Sequence, residues 1–290
     1  MRSDLANGIL HGGGESCAGA ASLGIGILSW HGYETLRATL VSLRQPGFLE
    51  LFNEHVVFFP EITDEGRALA AEFGFESHGL PDNKGIMEGF RGLASSMSST
   101  FVIMLENDCP LIETVEEATS QITLARMLLQ SGRAQVIRLR SRREPGENFE
   151  ATRKYNRYYP RPEVSLQSRV GSVVLRAMRP YKARRLIGTS VYVDSKPEVR
   201  FPSDVHAVEG GFYLLPTAVI PWTNQSIMID RKFFLDKIIA RSLSVSGRRQ
   251  TNGYKNIEIE LNGSWWRKQP WKIAVAPGLF THRRIGYRGY

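Results

Sequence analysis

From Leu23 onward, short apolar runs alternate with stretches whose apolar residues recur at helical spacing. Residues 23–30 hold Leu-Gly-Ile-Gly-Ile-Leu, a run suited to a strand buried on both faces. Residues 33–44 put Leu36, Leu40 and Leu43 on one helical face, and Gln45-Pro46-Gly47 closes that helix. The pattern then repeats. Residues 55–59 read as a second strand, 63–73 as a helix and 74–78 as containing a short third strand. Asp82 can cap a helix with Ile86, Phe90, Leu93 and Met97 on one face, and 101–105 is a fourth strand. Thr114 and Glu117 form a capping box for a helix to about Gln130, followed by a fifth strand over 134–139. Repeated strand–helix units with short connections predict an α/β fold with a mostly parallel central sheet flanked by helices. In such sheets ligands collect at the carboxyl ends of the strands.

The second half is less regular. Residues 140–185 are basic and contain Tyr155, Tyr158, Tyr159 and Tyr181. Strands are expected at 188–193, 211–215 and 271–276, and helices at 230–242 and 257–266. No repeat and no linker interrupts the chain after Ser22. The expected organisation is a Gly/Ala/Ser-rich tail over 1–22 and one catalytic domain over 23–290, with a nucleotide-binding half (23–132) and an acceptor-binding, catalytic half (133–290). The tail imitates a serine hydrolase through His11-Gly-Gly-Gly14 and Gly14-Glu-Ser-Cys-Ala18. In hydrolases these motifs come from separate loops and the second follows a strand, whereas here they adjoin and no strand precedes them. No apolar run reaches the roughly 18 residues needed to span a bilayer, and no signal-peptide core opens the sequence, so a cytoplasmic location is expected. Cys17 and Cys109 suggest no disulfide framework.

The formal charge of +8 is unevenly placed. Between Arg133 and Arg185 stand fifteen Lys and Arg against four Glu, a local surplus of +11. Such a surplus suits an anionic partner: a phosphorylated substrate, an acidic glycan, a lipid headgroup met by peripheral membrane contact, or nucleic acid. A solvated surface loop accounts for it equally.

The chemistry is most concentrated at Leu105-Glu-Asn-Asp-Cys-Pro110, where two carboxylates two residues apart follow a buried strand. Carboxylate oxygens are hard ligands suited to Mg²⁺ or Mn²⁺. A divalent ion there could neutralise a diphosphate as it leaves. Taken alone, acidic residues after a strand also serve as turn and cap residues.

The segment resembles the Asp-x-Asp motif of GT-A glycosyltransferases, in particular the family 2-like group. The resemblance extends through Ile27-Leu-Ser-Trp-His31 and its helix, Asn83-Lys-Gly85, Asn256-Ile-Glu-Ile-Glu-Leu261 and Gly278-Leu-Phe-Thr-His-Arg283. It implies a GT-A fold and a metal-dependent, inverting transfer of a sugar from a nucleotide-diphosphate donor, UDP by default, to a hydroxyl of a glycan or glycoconjugate acceptor, anionic if the basic segment recruits it. It implies that Ser29 and Trp30 line the nucleotide pocket, that Glu61 lies near base or ribose, and that Asn83 and Gly85 let backbone approach the nucleotide. Glu106 would face the ribose or a metal-bound water. Asp108, joined by His282, would hold Mn²⁺ or Mg²⁺, with Arg283 and Arg284 suited to phosphate. Glu258 would be the catalytic base, with Glu260 in reserve. The sequence departs from the family at Glu106, Ile257 and Glu258, where other acids are usual. Trp222, Trp265, Trp266 and Trp271 offer acceptor surface or core packing, and Thr223-Asn-Gln225 offers amides for sugar hydroxyls.

Two other functions fit parts of the sequence. A sugar-phosphate nucleotidyltransferase would carry a Gly-rich basic loop after the first strand, which Ser29-Trp-His-Gly32 is not. A nucleic-acid binder explains the charge but not the acidic motif. Oligomeric state is not encoded in any feature of the sequence.

Overall fold

The alternation in the first strand decides how closely the sheet is covered. The computed structural model describes residues 21–147, 150–161, 163–245 and 253–286; the hydrolase-like motifs of the tail lie outside these. In β1 (Leu23–Leu28), Leu23, Ile25 and Ile27 point into one apolar layer, while Gly24 and Gly26 leave room on the opposite face. A Cβ at Gly24 would come within 2.6 Å of Met97, and one at Gly26 within 2.8 Å of Leu93. The glycines therefore let a helix settle directly on the sheet.

The first half follows the expected alternation: α1 (Tyr33–Leu43), β2 (Glu54–Phe59), α2 (Asp64–Glu72), β3 (Glu76–Gly79), α3 (Gly85–Ser96), β4 (Phe101–Glu106), α4 (Val115–Gln130) and β5 (Val136–Arg140). The hydroxyls of Thr63 and Thr114 cap α2 and α4, accepting from Gly66 N and Glu117 N. Asp82 does not cap α3, which begins at Gly85 after Lys84. Leu93 and Met97, carried by α3 and the residue that ends it, are the side chains that meet the glycine face of β1.

The basic segment is mainly helical rather than a loop, with α5 (Glu150–Tyr158), α6 (Leu166–Met178) and α7 (Pro180–Leu186) packed on one another. Residues 188–193, expected as a strand, lie mostly in a buried 3₁₀ turn, Ile187–Tyr192. After β6 (His206–Ala207) and β7 (Tyr213–Pro216) comes β8 (Ile227–Asp230), which the sequence reading missed. The helix expected at 230–242 follows it over 231–244, with a π turn at Phe234–Ile239. Two short helices, Ile257–Leu261 and Ser264–Arg267, replace the single one expected at 257–266, and β9 (Lys272–Phe280) ends the sheet.

The nine strands run in the order β3-β2-β1-β4-β8-β5-β9-β7-β6. The sheet is mixed: β8 is antiparallel to both β4 and β5, and β7 is antiparallel to β9 and β6. The α/β architecture expected of a GT-A domain, a central sheet flanked by helices, is present. Because β8 is antiparallel to both neighbours, β4 and β5 point the same way. The carboxyl ends of β1, β2, β4, β5 and β9 thus share one edge, and the chain enters β8 from that edge. Two apolar layers cover the sheet. One contains residues of α1, α2 and α4; the other contains residues of α3 and the 231–244 stretch together with Trp222 and Trp266.

Candidate active site

Each strand end at this edge delivers a polar residue. β4 runs out into Glu106, Asn107 and Asp108, and the Asp108 side chain is fully buried. A carboxylate so placed needs cations. The chain leaving β9 supplies them: Arg284 donates to Asp108 Oδ2 through Nε (3.0 Å) and Nη2 (2.6 Å), and His282 Nε2 lies 3.0 Å from the same oxygen. Burial alone would push the Asp108 carboxyl up; the hydrogen bonds and charges of His282 and Arg284 outweigh this and hold it below the ordinary range.

Backbone contacts fix the approach of 281–285. Thr281 N donates to Pro110 O and Arg283 N to Asp108 O, while Ile285 N donates to Thr35 Oγ1 at 3.1 Å. On the other flank, Glu147 N donates to His282 O at 2.9 Å. This approach depends on Gly146, which has φ +78°; a Cβ there would stand 2.1 Å from His282 O.

Glu106, Asp108 and His282 offer ligand atoms within 4.8 Å of one another. The donor set, two carboxylates and an imidazole, suits a divalent ion that accepts both oxygen and nitrogen, such as Mn²⁺. His282 Nδ1 is buried and has no hydrogen-bond partner among the described residues. The residues present therefore fit a divalent ion, and Asp108 is paired with Arg284 as well. Glu106 is partly buried, and its carboxyl is pushed up to about 8, first by loss of water and then by the negative charges of Asp108 and Glu258.

Glu258, far away in sequence, joins this group from the helix Ile257–Leu261. Asn256 Oδ1 caps that helix, accepting from Glu258 N at 2.9 Å. Glu258 Oε1 accepts from Asn224 N at 3.0 Å. Asn224 is held in turn by Trp222, whose Nε1 donates to Asn224 Oδ1 at 2.8 Å, and Trp222 is clamped by Asn262 through its own N–H and carbonyl. Trp222 is buried, with its ring against Phe234 and Trp266; Trp266 is buried as well and donates to Ile220 O. These two tryptophans are core and scaffold rather than acceptor surface. Asn224 spends its amide on the protein, and Gln225 hydrogen-bonds Arg140 and Glu106. The Glu260 side chain lies outside the described residues.

The remaining expected residues follow β1, β2 and β3. Trp30 Nε1 donates to Glu61 Oε2 at 3.2 Å, and His31 Nε2 lies 3.5 Å from the same oxygen. Asn107 Nδ2 donates to Ser29 Oγ and His31 O, tying β1 to the acidic turn. Asn83 Oδ1 accepts from Gly85 N at 2.7 Å, and the space beside Gly85 is taken by Tyr254, whose Cβ would be 2.3 Å from an added Cβ. Two residues were missed by sequence reasoning. Arg138 and Arg140 project from β5 toward this edge, Arg138 donating to Pro221 O and Arg140 to Gln225 Oε1. Their only sequence signal is a period-2 pair of cations in an otherwise apolar strand. A separate hollow of about 720 Å³ lies between the start of α4 and residues 191–195, with Arg142 and Arg143 on its wall, and none of the expected site residues lines it.

No family model matches the sequence, and no curated protein does. Among solved structures, the chain is similar to glucosyl-3-phosphoglycerate synthase from Mycobacterium tuberculosis in complex with Mn²⁺, UDP-glucose and phosphoglyceric acid. Identity is 13%, with 92% of this chain and 73% of that chain covered and a TM-score of 0.48. It is also similar to S. aureus TarS 1-349, at 11% identity over 90% of this chain and 60% of that chain, TM-score 0.48. Against another TarS structure the figures are 15% identity, 44% of this chain, 22% of that chain and a TM-score of 0.35. The chain thus spans under a quarter of the length of that TarS chain.

Proposed function

We propose that the protein is a metal-dependent glycosyltransferase that moves a sugar from a nucleoside-diphosphate donor, UDP-linked by default, to a hydroxyl acceptor with inversion. The observation that carries this reading is the convergence of Asp108, Glu106, His282 and Glu258, from three distant parts of the chain, on one sheet edge. Asp108 and His282 would hold Mn²⁺ or Mg²⁺, which supplies positive charge to the diphosphate as it leaves. Ser29, Trp30 and Glu61 stand at the strand ends where base and ribose would lie. Glu258, fixed through Oε1, takes the acceptor proton on Oε2 as the acceptor oxygen attacks the anomeric carbon. The bond from that carbon to the diphosphate breaks, its electron pair stays on the phosphate oxygen, and Arg284 faces the charge that develops. Neither cytoplasmic placement nor glycan biosynthesis is needed for this chemistry. Among the described residues no helix is long and apolar enough to cross a membrane.

The test is turnover of UDP-sugars with Mn²⁺, read as UDP release. Glu258→Gln keeps the oxygen that Asn224 N binds but cannot accept a proton. Its turnover should fall about 10²–10⁴-fold while donor binding is retained. Pyrophosphate release from a nucleoside triphosphate and a sugar phosphate, with no UDP release from any sugar nucleotide, would identify a nucleotidyltransferase instead.

A further inference from the structure

The α6 helix is attached mainly through polar residues, with Leu175 packed against the Tyr155–Tyr158 cluster. Its one buried residue is Ser172, and Arg176 lies against α5, donating to Tyr158 O with its guanidinium 5.3 Å from the Tyr159 ring centre. The other large apolar residues face outward. Leu166 is 73% exposed, Val170 and Val173 56% each, Val174 51%, Met178 73%, and Tyr181 on the adjoining α7 72%. At 100° per residue, 166, 170, 173, 174 and 178 fall on one stripe, with Arg169 along its border. A helix that turns its valines to water and its serine inward is reversed relative to a helix docked on its own core, and a contiguous exposed patch of this kind marks a contact surface.

Charge decides what covers it. Between residues 151 and 186 stand ten Lys and Arg and a single acid, Glu163; Arg169 is exposed at the border of the stripe, and Arg179 and Lys182 are exposed where α6 passes into α7. A second copy would set this cationic face against itself. A nucleic acid would use the arginines but leave the valines in water. An anionic bilayer accepts both, burying the apolar side chains among acyl chains while phosphates meet the cations. We infer that the outward face of α6 and α7 docks on an anionic membrane surface. The face is tied to the candidate active site, since Arg185 donates to Asn262 O, and Asn262 clamps Trp222 behind Glu258. The inference does not depend on the transferase reading, because its test measures binding alone.

The experiment is flotation of the full chain with vesicles of phosphatidylcholine and of equimolar phosphatidylcholine and phosphatidylglycerol. The protein should float with the anionic vesicles and not with the neutral ones. Val170→Ser/Val174→Ser/Met178→Ser should lower that binding tenfold or more. Arg169→Gln/Arg179→Gln/Lys182→Gln should lower it about fivefold per charge removed. Both variants alter exposed side chains, so their thermal unfolding should match the parent. The inference is overturned if the parent protein floats with neither vesicle, or with both equally. It is also overturned if the parent sediments as a dimer that the serine variant converts to monomer, since a second copy would then cover the face.

Discussion

Asp108 faces two cationic side chains from inside the protein, so the choice of substitution matters. Asp108→Ala leaves Arg284 and His282 without a counter-charge and should cost roughly 3 kcal/mol of stability. That is the low end for a broken buried pair, because the Arg284 side chain is 26% exposed. Asp108→Asn keeps an oxygen for Arg284 and should cost less, yet still abolish Mn²⁺-dependent stabilisation. Urea unfolding of both variants, with and without Mn²⁺, separates the structural role from the ligand role; equal stability of the two would contradict the buried pairing. Gly146 acts on His282 through the backbone. Gly146→Ala pays the left-handed strain of about 1–2 kcal/mol and also pushes on His282 O, so His282 must shift. A titration of Mn²⁺ should show weaker binding in this variant than in the parent, although no ligand side chain has changed. The acidic turn is legible in the sequence because it sits right after a strand, where local pattern is strong, whereas the metal roles of Asp108 and His282 come from the family resemblance alone. Arg138 and Arg140 are not legible there, because their partners Pro221 and Gln225 lie more than eighty residues away.

At the scale of elements, β2 and β4 are both tied to β1, and Glu54 links the start of β2 to the turn leading into β4. Its carboxylate accepts from Ser98 N, Ser98 Oγ and Ser99 N at 2.7–3.1 Å. Burial would raise this carboxyl, but those hydrogen bonds prevail and hold it below the ordinary range. A depressed folded pKa stabilises the fold above the unfolded value of about 4.3, and the gain is lost as pH falls through the folded value. Glu54→Gln should therefore cost about 1 kcal/mol at neutral pH, after allowance for solvent screening, and the gap to the parent should close in acid. Chemical unfolding at pH 7 and pH 3 reads it directly; a gap unchanged at pH 3 would mean the charge is not involved. Elements made by distant pairing were the ones hidden in the sequence. Ile227-Met-Ile-Asp230 is too short to show a period and runs straight into a helix, so only β4 and β5 on either side make it a strand. Residues 188–191 are buried throughout, and a buried turn of helix and a buried strand then look alike in sequence.

The molecule as a whole is organised so that ligand binding should be felt everywhere. Ser29 and Glu61 come from the first quarter of the chain, Asp108 from beyond the first third, and Glu258 and His282 from the last forty residues. The two apolar layers run along both faces of the continuous nine-stranded sheet, so the candidate-site residues belong to one packed body. A ligand bridging them binds only the folded state and stabilises it by mass action, about 2.7 kcal/mol at a hundred times its dissociation constant. For a chain of this size that corresponds to roughly 5 °C in the unfolding midpoint. UDP alone should produce little of this shift, because Arg284 then remains engaged with Asp108 and the diphosphate brings further negative charge to an edge already crowded with carboxyl groups. UDP with Mn²⁺ should produce all of it, as one cooperative transition displaced upward, and EDTA should reverse it. A full shift with UDP in the presence of EDTA would place the diphosphate on arginines alone and remove Asp108 and His282 from metal binding.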